Sequence, residues 1–235
     1  MEGELPVVTI ILSVLILASY LFTASNLKSY EYLLGFVPSR PTIFSFVTYT
    51  FIHIDAAHLI GNLVMLIIAG LAIERYVGKA SFLSIYIASG CIAAIFDILS
   101  RYMLGISMRL PFVGASGSIF GLVAVASLVK PMERIPTFLV ILTLLPIFQL
   151  VIGLPIFSEQ KVFITILIFL AAVFAIVLYT LPHFLPLFVA ALIFIISWVI
   201  FLAFKLPTTA SNIGHLGGLI GGFVFMFAFP REKKP

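Results

Sequence analysis

Two short motifs hold residues whose types suit nucleophilic catalysis. Gly114-Ala115-Ser116-Gly117 places a serine between glycines at the head of a hydrophobic segment, and Gly214-His215-Leu216-Gly217-Gly218 does the same for a histidine. A serine hydroxyl becomes an effective nucleophile when an imidazole within hydrogen-bond reach accepts its proton. The sequence therefore indicates Ser116 as a candidate nucleophile and His215 as its candidate base.

Glycines at helical spacing accompany both residues. On the serine segment they are Gly117 and Gly121, and on the histidine segment they are Gly214, Gly218 and Gly222. Residues four apart fall on one helix face, and small residues there let the backbones of membrane helices come close together. We expect these two segments to pack on each other and to bring Ser116 within reach of His215.

The partner of the imidazole is less clear from the sequence. Phe120 lies one helical turn after Ser116 and can pack on the ring of His215. Asp97, near the outer end of the third hydrophobic segment, is a weak candidate for a carboxylate that orients His215. The expected catalytic unit is a Ser–His dyad rather than a triad.

A third polar group lies in the stretch from His53 to Asn62. His58 and Asn62 are four residues apart, so they share a helix face and can donate hydrogen bonds toward one point. His53 lies off that face or before the helix, which predicts a different role for it. The simpler interpretation is that all three only bond neighbouring helices.

Composition places these residues in a membrane. The chain has 235 residues, of which 63% are hydrophobic and 9% are charged, whereas soluble domains carry about 25% charged residues. The net charge of +4 is scattered, so nucleic acid is not an expected partner. With one cysteine, Cys91, and no Cys/His cluster, neither a metal nor another cofactor is expected.

About eight segments are apolar enough to cross a bilayer, each needing roughly 20 residues. They are Leu5–Thr23, Ala57–Val77, Phe82–Ser100, Ser116–Val129, Thr137–Phe157, Val162–Leu181, Leu185–Phe204 and Ile213–Phe229. The first is expected to be a retained span, because acidic rather than basic residues precede it. The fourth is short and rich in small residues, which predicts an interior position. The connection Ala24–Ala56 is predicted to be an interfacial loop.

Counting the membrane crossings places the candidate residues at a similar depth in the bilayer. With both termini inside, as a slight excess of lysine and arginine favours, the second, fourth and eighth segments all begin at the outer face. Ser116, His215, His58 and Asn62 then lie in one layer. We expect a single membrane domain over 1–235, with the core motifs in 42–130 and 212–230. The number of helices within 132–211 is left open.

The order HxxxxHxxxN, GxSG and HxxGxxxG resembles the rhomboid family of intramembrane serine proteases. The matching residues are His53, His58, Asn62, Gly114, Ser116, Gly117, His215, Gly218 and Gly222. Glu74 before Arg75 is also similar to a glutamate of that family. The resemblance covers about 42–121 and 212–229.

The resemblance implies an all-α polytopic membrane protein with a rhomboid-like helical bundle, whose six-helix core gains two extra transmembrane helices. It implies that Ser116 is the nucleophile, that His215 is the base and then the acid, and that His58, Asn62 and the Ser116 backbone N–H form the oxyanion hole. The structural positions near the site would be His53, Gly114, Gly117, Phe120, Gly218 and Gly222. Substrates would be transmembrane helices, cut near the outer face of a multi-pass protein of the cell membrane. Neither the physiological substrate nor the oligomeric state follows.

Some positions depart from the family pattern, and other functions compete. Phe44-Ser45 stands where the family has Trp-Arg, and Phe120 stands where a tyrosine is common. Three segments, rather than one, separate the two catalytic motifs. The main alternative is a catalytically silent, derlin-type protein that binds membrane clients; a second is a small transporter with a polar proton relay. Asp97 and Arg101 are predicted to form a surface pair.

Overall fold

The computed structural model describes residues 5–129, 134–136, 184–186 and 210–228. The chain forms two compact units. The first contains Met1–Lys130 and Thr209–Pro235, and the second contains Pro131–Thr208. Every residue of the three sequence motifs belongs to the first unit.

The first unit is helical, which confirms the predicted all-α membrane fold. Its helices are α1 (Val7–Thr23), α2 (Leu27–Leu34), α3 (Ser45–Thr48), α4 (Ala56–Val77), α5 (Lys79–Leu104), α6 (Ser116–Val129) and α7 (Ala210–Ala228), with 3-10 turns at Ala24–Asn26 and Tyr49–Phe51.

Five of the predicted spans correspond to helices. Val7–Leu34, His58–Val77 and Lys79–Met103 are long and apolar enough to cross a membrane, while Ser116–Val129 and Ile213–Ala228 are shorter apolar helices. The predicted spans Thr137–Phe157 and Val162–Leu181, and all but the first two residues of Leu185–Phe204, lie outside the described residues.

Helix α6 lies at the centre of the first unit. It packs against α4, α5 and α7, and its residues from Gly117 to Ser127 are buried, apart from the half-buried Phe120. A span of 14 residues is shorter than a lipid-facing helix requires. Enclosure by neighbouring helices removes that requirement, so the predicted interior position is confirmed.

The start of α1 is fixed by a carboxylate from the end of α4. Glu74 is 2% exposed, and it accepts hydrogen bonds from the Val8 N–H at 2.8 Å, the Thr9 N–H at 2.8 Å and the Thr9 hydroxyl at 2.6 Å. The first N–H groups of a helix have no partner within the helix, and the positive end of the helix dipole favours a carboxylate there. Glu74 thus caps α1 and ties it to α4.

The connection between α1 and α4 is partly helical, where the sequence predicted a loop. The 3-10 turn at Ala24–Asn26 leads directly into α2, after which the chain turns at Gly35. The Thr48 hydroxyl donates to the Leu34 carbonyl at 2.6 Å and holds the rest of the connection against the end of α2. Ile43 and Phe44 are highly exposed, which suits contact with lipid.

In the second unit, two short strands pair antiparallel. They are β1 (Arg134–Pro136) and β2 (Phe184–Pro186), with Ile135 opposite Leu185. Leu185 and Pro186 therefore do not begin the predicted helical span Leu185–Phe204. The error follows from hydropathy, because a short apolar run does not distinguish a strand from the first turn of a helix.

Candidate active site

The contact between α6 and α7 is made by backbone against backbone. A methyl group added at Gly218 would overlap the carbonyl of Gly117, and one added at Gly222 would overlap the carbonyl of Gly121. Gly218 and Gly222 of α7 therefore lie directly against the backbone of α6, at a crossing that leaves no room for a side chain at either position. This confirms the predicted packing of the two glycine-faced segments.

That crossing brings the first residue of α6 to a ring on the first turns of α7. The Ser116 Oγ lies 2.7 Å from the His215 Nε2. If Nε2 accepts the hydroxyl hydrogen, the neutral imidazole carries its own hydrogen on Nδ1. The Phe120 ring lies against the imidazole, with centroids 4.8 Å apart and planes 33° apart. Phe120 thus packs on His215 as the sequence suggested.

The start of α4 lies beside the residue that opens the serine motif. Asp55 caps this helix by accepting the His58 N–H at 2.7 Å. A methyl group at Gly114 would lie 2.6 Å from the His58 Cε1, 2.8 Å from its Nε2 and 3.9 Å from the Asn62 Nδ2. His58 and Asn62 therefore face the same point, two residues before Ser116.

Gly114 meets two demands that only glycine satisfies. Its φ of +114° lies in a region that residues with a Cβ rarely adopt, and the His58 ring occupies the space of a side chain. Asn62 is 6% exposed, and its Nδ2 donates to the His58 carbonyl at 3.0 Å. The side-chain amide has two hydrogens, so the second can still serve as a donor.

His53 contacts the serine motif from another direction. Its Nε2 accepts the Ala115 N–H over a long 3.5 Å, and its ring centroid lies 5.0 Å from that of His58. Burial disfavours the charged ring and, together with the nearby His58, lowers the pKa of His53 to about 4. A neutral His53 can accept the Ala115 N–H, which places it next to the site without contact to the dyad.

The loop before Ser116 is also held by the connection that precedes α4. Phe36 and Phe112 exchange two backbone hydrogen bonds, of 3.0 and 2.8 Å, and the Gly114 N–H donates to the Tyr49 carbonyl at 3.0 Å. The Tyr49 hydroxyl donates to the Gly90 carbonyl on α5 at 2.9 Å. Tyr49 thus joins three parts of the site.

Two of these supporting residues were missed from the sequence. No motif singles out Tyr49. Asp55, in contrast, precedes an apolar helical run, which is a recognised signal of an N-cap. That signal would have fixed the start of α4 and the direction in which His58 and Asn62 point.

A Rhomboid domain family model matches residues 40–167, more than half of the chain. The chain belongs to the rhomboid family. It is also similar to Rhomboid-like protein 11, chloroplastic, of Arabidopsis thaliana, with 34% identity over 114 residues. That alignment covers 48% of this chain and 38% of the relative, so the chain spans well under two thirds of the relative's length.

The rhomboid match ends before α7. It includes the His53-to-Asn62 stretch and the serine motif, whereas His215 lies beyond residue 167. The link between the two catalytic candidates therefore depends on the HxxGxxxG motif and on the 2.7 Å contact.

The prediction of a surface pair at Asp97 and Arg101 is wrong for this rhomboid protein. The two side chains are 0% and 5% exposed and their Oδ2 and Nε atoms lie 2.7 Å apart. The segment 210–228 packs along α5, and contact between distant segments leaves no periodicity in the local sequence. The Asp97 carboxylate pairs with Arg101 rather than orienting His215.

In the described part of the rhomboid chain, no group of three His, Cys, Asp or Glu side chains is arranged to hold a metal ion. The polar side chains at the starts of α4, α6 and α7 include a hydroxyl, imidazoles and an amide, and the Asp55 carboxylate caps α4. Together they can transfer a proton and donate hydrogen bonds.

Proposed function

We propose that this rhomboid protein is an intramembrane serine endopeptidase that cleaves transmembrane helices of membrane-protein substrates near the outer face. The observation that carries the proposal is the 2.7 Å contact between the Ser116 Oγ and the His215 Nε2. This distance lies within the reach that a general base needs for the proton of its nucleophile.

The first half-reaction forms an acyl-enzyme. The Ser116 Oγ attacks the carbonyl carbon of the scissile peptide bond while the His215 Nε2 takes the hydroxyl proton. The resulting tetrahedral intermediate collapses, the C–N bond breaks, and the imidazolium returns the proton to the leaving amine. An ester now joins Ser116 to the amino-terminal part of the substrate.

Water completes the cycle. His215 takes a proton from a water molecule as its oxygen attacks the ester carbonyl. Collapse of the second tetrahedral intermediate breaks the bond to Ser116, and the imidazolium returns the proton to the serine oxygen. The cycle consumes one water and needs no cofactor.

The oxyanion of both intermediates would be stabilised by His58, Asn62 and the Ser116 backbone N–H. His58 and Asn62 face Gly114 from one side, and Ser116 begins α6, where backbone N–H groups have no partner within the helix. Donors fixed in advance around the developing charge stabilise the transition state more than the ground state.

A transmembrane helix is the proposed substrate because the site belongs to the membrane-embedded part of the chain. In a helix the peptide carbonyls are hydrogen-bonded, so small or helix-breaking residues near the cleavage site would ease local unwinding. We propose the cell membrane as the location. Fractionation of cells that express a tagged chain tests the location, since recovery in an organelle membrane would contradict it.

Covalent labelling by a fluorophosphonate tests the dyad directly. Wild-type protein should be labelled at Ser116 and should cleave a model transmembrane substrate. Ser116→Ala and His215→Ala should each reduce cleavage by at least about a thousand-fold, because the two residues act as a unit.

Ser127→Ala is the matched control, since it removes a hydroxyl from the same helix whose hydrogen bond among the described residues goes to the Ala124 carbonyl. It should retain labelling and cleavage. A folded wild-type protein that binds transmembrane clients but is neither labelled nor active would instead support the derlin-type function.

A further inference from the structure

Helix α5 carries a buried ion pair. Asp97 and Arg101 lie one turn apart on α5, their Oδ2 and Nε atoms are 2.7 Å apart, and the side chains are 0% and 5% exposed. The second carboxylate oxygen of Asp97 is also buried and has no hydrogen-bond partner among the described residues. Ionisable residues are costly inside a membrane protein and mark function by default.

Stability alone gives little reason for this pair. Exchanging a buried ion pair for apolar residues of similar volume is often neutral or stabilising, because removing two charges from water offsets their attraction. A further role must therefore come from what the pair contacts.

Arg101 makes a second bond, to the loop that leads to the nucleophile. Its Nη1 donates to the Ser107 carbonyl at 2.7 Å. Ser107 lies in Gly105–Ala115, the segment between the end of α5 and Ser116. Among the hydrogen bonds described for this loop, the bond from Arg101 alone has a charged donor, and such bonds are about twice as strong as neutral ones.

The ion pair lies on the same face of α5 as Ala93, which contacts both catalytic helices. Ala93, Asp97 and Arg101 follow one another at steps of four residues, which places them on one side of the helix. Ala93 packs under the catalytic motifs: a methyl group at Gly117 would lie 2.5 Å from its Cβ, and one at Gly214 would lie 3.5 Å from its carbonyl. This face of α5 contacts the start of both catalytic helices and, through Arg101, the start of the serine loop.

We propose that Arg101, oriented by Asp97, is a positioning residue that fixes the loop 105–115 and thereby sets the position of Ser116. Asp97 holds the guanidinium in one orientation through Nε. The same rigid group then holds the Ser107 carbonyl through Nη1. The catalytic consequence rests on the proposed function of Ser116, whereas the effect on the loop does not.

Arginine suits this double contact for a geometric reason. Its donors are separate nitrogens fixed in one plane, so Nε and Nη1 reach two acceptors at once. Lysine has one nitrogen, from which all three hydrogens radiate. Arg101→Lys is therefore expected to keep the charge next to Asp97 and to lose the bond to Ser107.

The test compares Arg101→Lys with Arg109→Lys, in full-length protein in lipid nanodiscs. Arg109 is an exposed arginine in the same loop, so the control makes the same chemical change in the same segment. Amide hydrogen exchange over residues 105–115, the thermal midpoint, and the kinetics of Ser116 labelling by a fluorophosphonate are measured for each.

Arg101→Lys should increase exchange in the loop about ten-fold and lower the maximum labelling rate about ten-fold, since small displacements of a nucleophile have large effects on rate. The half-saturating concentration of the reagent and the thermal midpoint should stay close to wild type, which a purely structural role would not give. Arg109→Lys should match wild type in every measurement. Equal exchange and labelling in both variants would overturn the proposal.

Asp97→Asn provides a second variant if Arg101→Lys does not fold. Asparagine keeps an oxygen that can accept from the Arg101 Nε but loses the charge, so loop exchange should increase less than in Arg101→Lys. Unchanged exchange in Asp97→Asn would equally contradict the proposal. Absence of labelling in the wild type would count against the dyad alone, because the exchange measurements still decide the role of Arg101.

Discussion

Two regions hold the candidate site in different ways. One is the glycine crossing of α6 and α7, and the other is the loop layer, formed by the segments 35–55 and 105–115. At the crossing, Gly218 and Gly222 lie against the carbonyls of Gly117 and Gly121, with no side chain between the backbones. In the loop layer, Phe36 and Phe112 exchange backbone hydrogen bonds, and the His53 side chain accepts the Ala115 N–H. The crossing depends on glycines that have no side chain, whereas the loop layer depends on hydrogen bonds.

This difference separates two aspects of catalysis. Ser116 and His215 are each carried by a helix of the crossing, so their distance is set by close packing. His58, Asn62 and Gly114 are arranged by a helix cap and a loop, so the geometry of the proposed oxyanion donors depends on several weaker bonds. We expect changes at the crossing to affect fold and activity together, and changes in the loop layer to affect mainly activity.

The largest effect is expected from Gly218→Ala. The added methyl group would overlap the Gly117 carbonyl and force the helices apart, and overpacking of this kind costs about 1–3 kcal/mol. Because the same displacement separates His215 from Ser116, labelling by a fluorophosphonate should be abolished and the thermal midpoint lowered.

Gly61→Ala is the control for this change, since a methyl group at Gly61 on α4 meets nothing within 4 Å. It should leave labelling unchanged, and alanine's higher helix propensity should preserve stability. Wild-type labelling in Gly218→Ala would show that the crossing does not set the dyad distance.

A large loss of activity in a protein that still folds is expected from Gly114→Ala. Alanine at a φ of +114° is strained, by about 1–3 kcal/mol, and its methyl group would press on the His58 ring. Relief of that contact moves His58 away from the oxyanion position. Cleavage of a model substrate should fall more than about a hundred-fold, while circular dichroism should still report a folded helical protein. Loss of helical signal would place Gly114 with the crossing rather than with the loop layer.

The smallest of the three effects is expected from Asn62→Ala. Asn62 supplies one of several proposed donors, so kcat should fall about ten-fold to a hundred-fold, less than in Ser116→Ala or His215→Ala. KM and the thermal midpoint should change little. The exposed Asn26→Ala is the matched control and should behave as wild type. If Asn62→Ala raised KM without lowering kcat, Asn62 would bind the ground state and not the oxyanion.

The sequence was most informative where spacing and steric demand coincide. Glycines at steps of four predicted the crossing of α6 and α7, and small residues predicted the interior position of α6. Both follow from local rules, since glycine leaves room at one helix face and a short apolar helix needs shielding from lipid. The contact of Phe120 with His215 followed from the same helix geometry.

Contacts between distant segments could not be predicted from the sequence. Burial of Asp97 and Arg101 depends on how distant segments pack around α5, and the role of Tyr49 depends on a fold that brings the serine loop and α5 together. Neither leaves a local pattern. The helical part of the 24–56 connection was missed because its mixed polar and aromatic composition also fits an interfacial loop.

The cap on α1 has a consequence for the order of assembly. Until α1 is in place, the buried end of α4 holds a carboxylate without its three donors, and α1 holds two unsatisfied backbone N–H groups. Polar groups without hydrogen-bond partners are costly in a lipid environment. Packing of α1 against α4 therefore removes a cost from both helices. Because α1 precedes α4 in the chain, α1 gains these hydrogen-bond acceptors only once α4 has been made, so Glu74 couples the packing of the earlier helix to the synthesis of the later one.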